Sequence, residues 1–152
     1  MHMLAIRIAQ AGLVARIWES LRQEVGTERA SAILVAAIAA DARCAGETFA
    51  RTAPGRASLH HFATVLDRWQ DGGALNIKDI RLTETALHFA VTACGYAQSY
   101  ADMGLAPELG SILSCSRDEP FAQGYSPNLS MYRSRTIMQG APACLFTFTW
   151  AS

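Results

Sequence analysis

The chain has 152 residues, 51% of them hydrophobic and 17% charged, and its 13 basic side chains balance its 13 acidic ones. A chain of zero formal charge lacks the basic face that releases phosphate counterions, so nucleic acid is not expected as a partner. The uncharged, alanine-rich run at residues 30–40 falls short of the roughly 20 apolar residues that cross a bilayer, and Arg7 and Arg16 interrupt the apolar N-terminal start, so neither a membrane partner nor a secretion signal is expected. The four cysteines have no CxxC spacing and are expected reduced, in a cytoplasmic protein. So apolar a composition points to a partner surface, and a homo-oligomer is expected.

Val14, Ile17, Trp18, Leu21 and Val25 recur at helical spacing and predict an amphipathic helix over about 3–25, closed by Gly26. Thr27 can cap a second helix over about 28–51, alanine-rich on nearly every face, which Pro54 and Gly55 end. Ser58 is the candidate N-cap of a third helix from Leu59 to Trp69, broken by Asp71-Gly72-Gly73. The period then changes. Leu75, Ile77, Ile80 and Leu82 predict one strand, and the alternation of Leu87, Phe89 and Val91 predicts another over 85–93.

Helical spacing returns over 94–103, with Gly104 as C-cap, and Pro107 opens a short helix through Leu113. Ser114–Asn128, rich in Gly, Pro, Ser and Asn, reads as a loop, and residues 129–138 and 144–150 read as a β-hairpin. The expected architecture is α+β: N-terminal helices packed on a small antiparallel sheet that ends in a C-terminal β-hairpin. Residues 1–152 read as a single domain, with 1–71 as helical scaffold and 75–150 as a mixed part that carries the site.

Chemistry concentrates in that second part. In the last strand Cys144, Phe146, Phe148 and Trp150 share one face, so Cys144 is expected to point inward, where a free thiol also packs as a small hydrophobe. In the strand before it Ser130, Tyr132, Ser134 and Thr136 oppose Met131, Arg133, Arg135 and Ile137. The hydroxyl row either floors a polar pocket or faces solvent while the arginines lie over apolar neighbours. Cys115 and Asp118 face the same way if the turn around them continues, and the carboxylate would raise the thiol's pKa unless Arg117 offsets it; the alternative is that Asp118 caps a turn. Three thiols and a carboxylate, with His88 or His60-His61, have the right chemistry for zinc, but structural zinc ligands come in close pairs and these do not; no metal or other cofactor is expected. No Ser-His-Asp elbow, P-loop or dinucleotide fingerprint occurs.

The succession CGYAQSYADMGLAPELG, then SCSRDEPFAQGYSPNLSMYRSRTIMQGAPACLFTF, resembles the L-2-amino-thiazoline-4-carboxylic acid hydrolase family over roughly residues 85–150. The resemblance implies hydrolysis of a cyclic isothiourea bearing a carboxylate to a carbamoyl-cysteine product. By position it implicates Cys115, Asp118 and Cys144 as catalytic, and Cys94, Arg133, Thr136 and Gly140 as substrate-binding. Asp118 would orient or deprotonate water or bind the amidinium, Cys115 or Cys144 would be the covalent alternative, and Arg133 or Arg117 would hold the carboxylate. Two residues depart from the family pattern: Leu145, where Cys-Asp-Phe is frequent, and Gln98, where an acid is common. The same features also resemble small-molecule-binding domains of the vinyl-reductase type, which hold ligands without turnover.

Overall fold

A computed structural model of the chain describes residues 2–152. Two long helices, α1 (Met3–Val25) and α2 (Thr27–Ala50), form an antiparallel hairpin about Gly26, whose φ of 83° a side chain would oppose. The third predicted helix is two short ones, α3 (Leu59–Ala63) and α4 (Val65–Gln70), and the Ser58 hydroxyl caps the first by accepting from His61 N–H at 3.2 Å. Strands β1 (Leu75–Leu82) and β2 (Ala86–Cys94) lead into α5 (Gly95–Asp102) and α6 (Pro107–Leu113).

The segment read as a loop is largely helical: a 3-10 turn at Cys115–Arg117 runs straight into α7 (Asp118–Tyr125). Its Gly and Pro mislead a reading by composition. Pro120 lies in the first turn, where no backbone N–H is required, and Asp118 and Glu119 beside it suit the positive end of the helix dipole. The chain closes with β3 (Leu129–Tyr132) and β4 (Cys144–Trp150), a hairpin whose first strand is shorter than predicted because residues 133–136 leave the ladder.

The strands pair antiparallel in the order β1-β2-β4-β3. Alternation sends Leu87, Phe89 and Val91 of β2 and Cys144, Phe146 and Phe148 of β4 to one face, with Phe89 opposite Phe146 and Val91 opposite Cys144. That face meets Phe49, Leu59, Phe62, Val65, Leu66 and Tyr125 in the larger core cluster. A second cluster joins Ala11 and Trp18 of α1 to Leu34 of α2, Tyr100 of α5 and Leu109 and Ile112 of α6. The α+β expectation holds. No helix among the described residues is long and apolar enough to cross a membrane.

The two clusters are tied together where α2 crosses α7. A Cβ on Gly46 would overlap the carbonyl oxygen of Phe121 and lie 2.8 Å from Tyr125 N, and one on Gly124 would overlap the carbonyl of Arg43. Backbone is the obstacle in both directions, so neither residue can be enlarged by moving a side chain. Overpacking of this kind typically costs about 1–3 kcal/mol, and a backbone obstacle belongs at the upper end. Gly46→Ala and Gly124→Ala are each expected to lower unfolding stability by about 3 kcal/mol in urea titration. Gly55→Ala, whose added methyl meets nothing within 4 Å, should stay within about 0.5 kcal/mol of the parent.

Candidate functional site

Between the two clusters lies a cavity of about 490 Å³, walled by α1, α2, α4, α5, α7 and the inward face of β2 and β4. Five of the residues implicated by sequence converge on it: Cys94, Cys115, Asp118, Arg133 and Cys144. Each arrives by a local device. Cys94 ends β2 and caps α5, its Sγ accepting from Ala97 N–H at 3.4 Å. Cys144 opens β4 at the edge of the apolar row, and its Sγ accepts from Ile137 N–H at 3.1 Å. Asp118 is the first residue of α7, one turn after Cys115.

Arg133 continues the inward row of Leu129 and Met131 one residue past the end of β3 at Tyr132, and it is held there by three contacts. Its Nη1 donates to Asp118 Oδ2, its Nη2 donates to the Cys115 carbonyl at 3.0 Å, and its guanidinium lies 4.9 Å from the centre of the Phe146 ring. The hydroxyls of Ser130, Tyr132 and Ser134 face solvent, so the open question about that row resolves toward solvent for them, with Met131 and Arg133 turned in.

Thr136 and Gly140 do not line the cavity. Thr136 is buried, but its hydroxyl accepts from Gln139 N–H at 3.2 Å and donates to Gln139 Oε1, capping a 3-10 turn that Gly140 closes with a φ of 94°. Thr136 also borders a separate groove behind Cys115 and Arg133, shared with Ser116 and Arg135. Both residues thus serve the turn that delivers β4. The two departures from the family pattern lie outside the cavity as well. Leu145 is 61% exposed on the far face of the sheet, and the Gln98 amide donates to Asp102 at 2.9 Å on the outside of α5.

The helical half contributes groups that its reading as scaffold passed over. Arg7 of α1 and Asp41, Cys44 and Thr48 of α2 all line the cavity, as do Tyr96 and Tyr100 of α5. A signal existed. Arg7 falls on the stripe of Leu4, Ala11 and Trp18 that α1 turns to the core, whereas Asp41 is exposed beside the buried Ala42 and gave no such signal. Arg117 Nη2 donates to Asp41 Oδ2 at 2.6 Å, and Arg7 Nη1 lies 3.9 Å from the same oxygen.

The electrostatics follow from enclosure. Burial pushes the Asp118 carboxyl up to about 6, against the pull of Arg133 and Arg117, so desolvation outweighs the ion pair. Burial, and then the neighbouring Asp118 charge, push the Cys115 thiol up to about 12. Burial raises Cys94 and Cys144 too, despite the backbone donors on their sulfurs, and takes Tyr100 to about 12. Near neutral pH Asp118 therefore sits among the neutral thiols of Cys94, Cys115 and Cys144 and the neutral phenols of Tyr96 and Tyr100, and binds its proton more tightly than an exposed carboxylate would. Among the described residues no group of three or more His, Cys, Asp or Glu side chains has the geometry of a metal site.

The model of the L-2-amino-thiazoline-4-carboxylic acid hydrolase family matches residues 7–148. No curated protein matches the chain. Among solved structures it is similar to the phenol-responsive sensory domain of the transcription activator PoxR, crystallised with phenol. That likeness has a TM-score of 0.60 and 11% identity, over 92% of this chain and 74% of that one, and at such identity it concerns the fold. The family match, by contrast, runs from Arg7 on one wall of the cavity past Cys144 on the other, and by it the chain belongs to the L-2-amino-thiazoline-4-carboxylic acid hydrolase family.

Proposed function

We infer that this cavity binds a small cyclic amidine or thiazoline carboxylate and opens its ring by adding water, with Asp118 as the base. The observation that carries the reading is a carboxyl held by Arg133 and raised to about 6, in a cavity where burial raises the thiols of Cys94, Cys115 and Cys144. A base of that pKa is ionised at neutral pH, yet takes a proton more readily than an ordinary carboxylate, which suits general-base catalysis.

The chemistry balances without a cofactor. Water adds to the carbon flanked by sulfur and two nitrogens while its proton passes to Asp118. The tetrahedral carbon then collapses with its hydroxyl becoming the carbamoyl C=O, the carbon–sulfur bond breaks, and the proton on Asp118 and the hydroxyl proton go to the leaving sulfur and the former imine nitrogen, giving a carbamoyl-cysteine. Arg133 fixes one oxygen of Asp118 and so positions the other, leaving it for water or for the amidine N–H groups. Cys115 and Cys144 fit a covalent role less well than this one. A thiol raised to about 12 is roughly one part in 10⁵ ionised at pH 7, and the thiolate is the nucleophile. The thiols then supply weak donors around a substrate that itself contains sulfur.

A second reading, a domain that holds its ligand without turnover, draws on the fold shared with the PoxR sensory domain, which was crystallised with phenol, and on the aromatic lining of the cavity here. The two readings part at Asp118. For a hydrolase, kcat/KM for ring opening should rise with pH through about 6 and then level off, and Asp118→Asn should lose about 10²–10⁴ in rate together with that limb. Ligand binding by both proteins with no turnover by the parent would establish the binder.

Folding favours the protonated carboxyl, so its contribution to stability is whole below the ordinary carboxyl value near 4 and is lost as pH rises through about 6. In Asp118→Asn that decline should disappear from a series of denaturation curves. The thiols give an independent check. Brief alkylation with iodoacetamide at pH 8, read by peptide mass spectrometry, should label Cys115 more than about tenfold slower than exposed Cys44. Equal labelling would return Cys115 to consideration as nucleophile.

A further inference from the structure

The cavity is larger than the parent ring requires, and its two ends differ. A 2-amino-thiazoline-4-carboxylate has nine non-hydrogen atoms. Even if each is granted the ~30 Å³ that a water molecule takes in the liquid, they fill about 270 Å³. The cavity measures about 490 Å³. The surplus is not polar space. Phe49, Val65, Trp69, Leu75, Val91 and Phe146 line it, and all six belong to or pack against the cluster on the sheet face.

The charges gather elsewhere. The groups whose charges act on Arg7 are Arg117, Asp41, Tyr96 and Tyr100, none of them part of the aromatic wall. Two guanidiniums there share one carboxylate oxygen, at 2.6 and 3.9 Å, so one positive charge lacks a counter-charge. The side chains of Arg7 and Arg117 are only 21% and 13% exposed, so water screens that charge poorly. The remaining lining charges are settled. Arg133 is paired with Asp118, and Arg68 lies exposed over the Phe49 ring at the rim, its centre 4.9 Å away.

We propose that the ligand of this cavity is an amphipathic monoanion, with a carboxylate seated at Arg7 and Arg117 and an apolar substituent against the wall of Phe49, Trp69, Val91 and Phe146. The proposal names the substrate class of the site and rests on the ring-opening reading above. It makes the reaction selective for thiazoline carboxylates that carry a bulky apolar group. Asp41 becomes a positioning residue, its carboxylate between the two guanidiniums offsetting part of their mutual repulsion. The excess of one cation explains why a single carboxylate suffices and why a neutral ligand leaves the end wall unsatisfied.

Three probes test it at pH 7.5: 2-amino-thiazoline-4-carboxylate, its 5-phenyl derivative, and the methyl ester of that derivative. Binding is read by isothermal titration on Asp118→Asn. The same series is read by thermal shift on the parent protein, which keeps the test intact if the variant folds poorly. The phenyl acid should bind at least tenfold tighter than the parent acid, and at least tenfold tighter than its own ester. Arg7→Gln should erase most of the advantage of acid over ester, and Arg7→Lys should restore it. Equal binding of the parent and phenyl acids, or of acid and ester, overturns the proposal. If the parent acid is hydrolysed without any preference for the phenyl derivative, this inference falls and the ring-opening reading stands. If none of the three binds, both fall.

Discussion

The site depends on one backbone contact. Gly46 of α2 and Gly124 of α7 let the two helices meet main chain to main chain, closer than any side chain would permit. That closeness fixes where α7 begins relative to α2, and α7 begins with Asp118. Polar bonds flank the crossing, Arg117 to Asp41 at 2.6 Å and Arg43 to Gln123 at 3.3 Å. A wider crossing would carry Cys115, Arg117 and Asp118 away from the wall of α2 and turn an enclosed cavity into an open cleft. The chemistry attributed to Asp118 requires the enclosure, since exposure to bulk water would return its pKa to the ordinary range.

Within the cavity, desolvation and pairing act against each other on the same group. Arg133 stabilises the carboxylate form of Asp118, and burial destabilises it by more, leaving a value of about 6. The balance is delicate because Arg133 is itself held by the Cys115 carbonyl and the Phe146 ring, so it cannot follow the carboxylate freely. Such restraint separates a positioned base from a flexible surface ion pair, whose two long side chains adjust to each other and contribute little. The thiols meet the same low dielectric without a compensating cation of their own, and they stay protonated. Burial therefore acts on Asp118 and on the thiols of Cys94, Cys115 and Cys144 alike, and of these only the carboxyl ionises near neutral pH.

Much of this was legible in the sequence. The hydrophobic periods of α1, α2 and both central strands were strong enough to locate those elements within a residue or two, and the Cys144 row pointed inward as its alternation predicted. The cavity-lining residues of the second half were readable because thiols and carboxylates at element boundaries have few structural reasons to be there. Three things were not. α7 was hidden by Gly and Pro, which its close packing and its first turn accommodate. The side taken by Arg133 was left open, because alternation separates the arginines from the hydroxyls of that strand without saying which row faces the core. Thr136 and Gly140 carried a motif whose purpose is a capped turn, and sequence alone does not separate a residue that touches a ligand from one that shapes the loop beside it.

Arg7 teaches the opposite lesson. A charge on the buried stripe of an amphipathic helix is costly unless it is paired or used, and Arg7 broke an otherwise apolar stripe in plain view. The contacts of Arg7 and Arg117 with Asp41 join the helical half to the half that carries the thiols. Holding a ligand and transforming it ask different things of such a cavity. Holding needs size, apolar contact and a counter-charge, which the aromatic wall and the Arg7–Asp41–Arg117 group supply. Transforming it needs one group whose protonation changes near neutral pH, and among the residues lining this cavity the carboxyl of Asp118 is the group raised into that range. The distinction between a binding domain and a hydrolase on this fold therefore narrows to how firmly Arg133 and the α2–α7 contact keep that carboxyl enclosed.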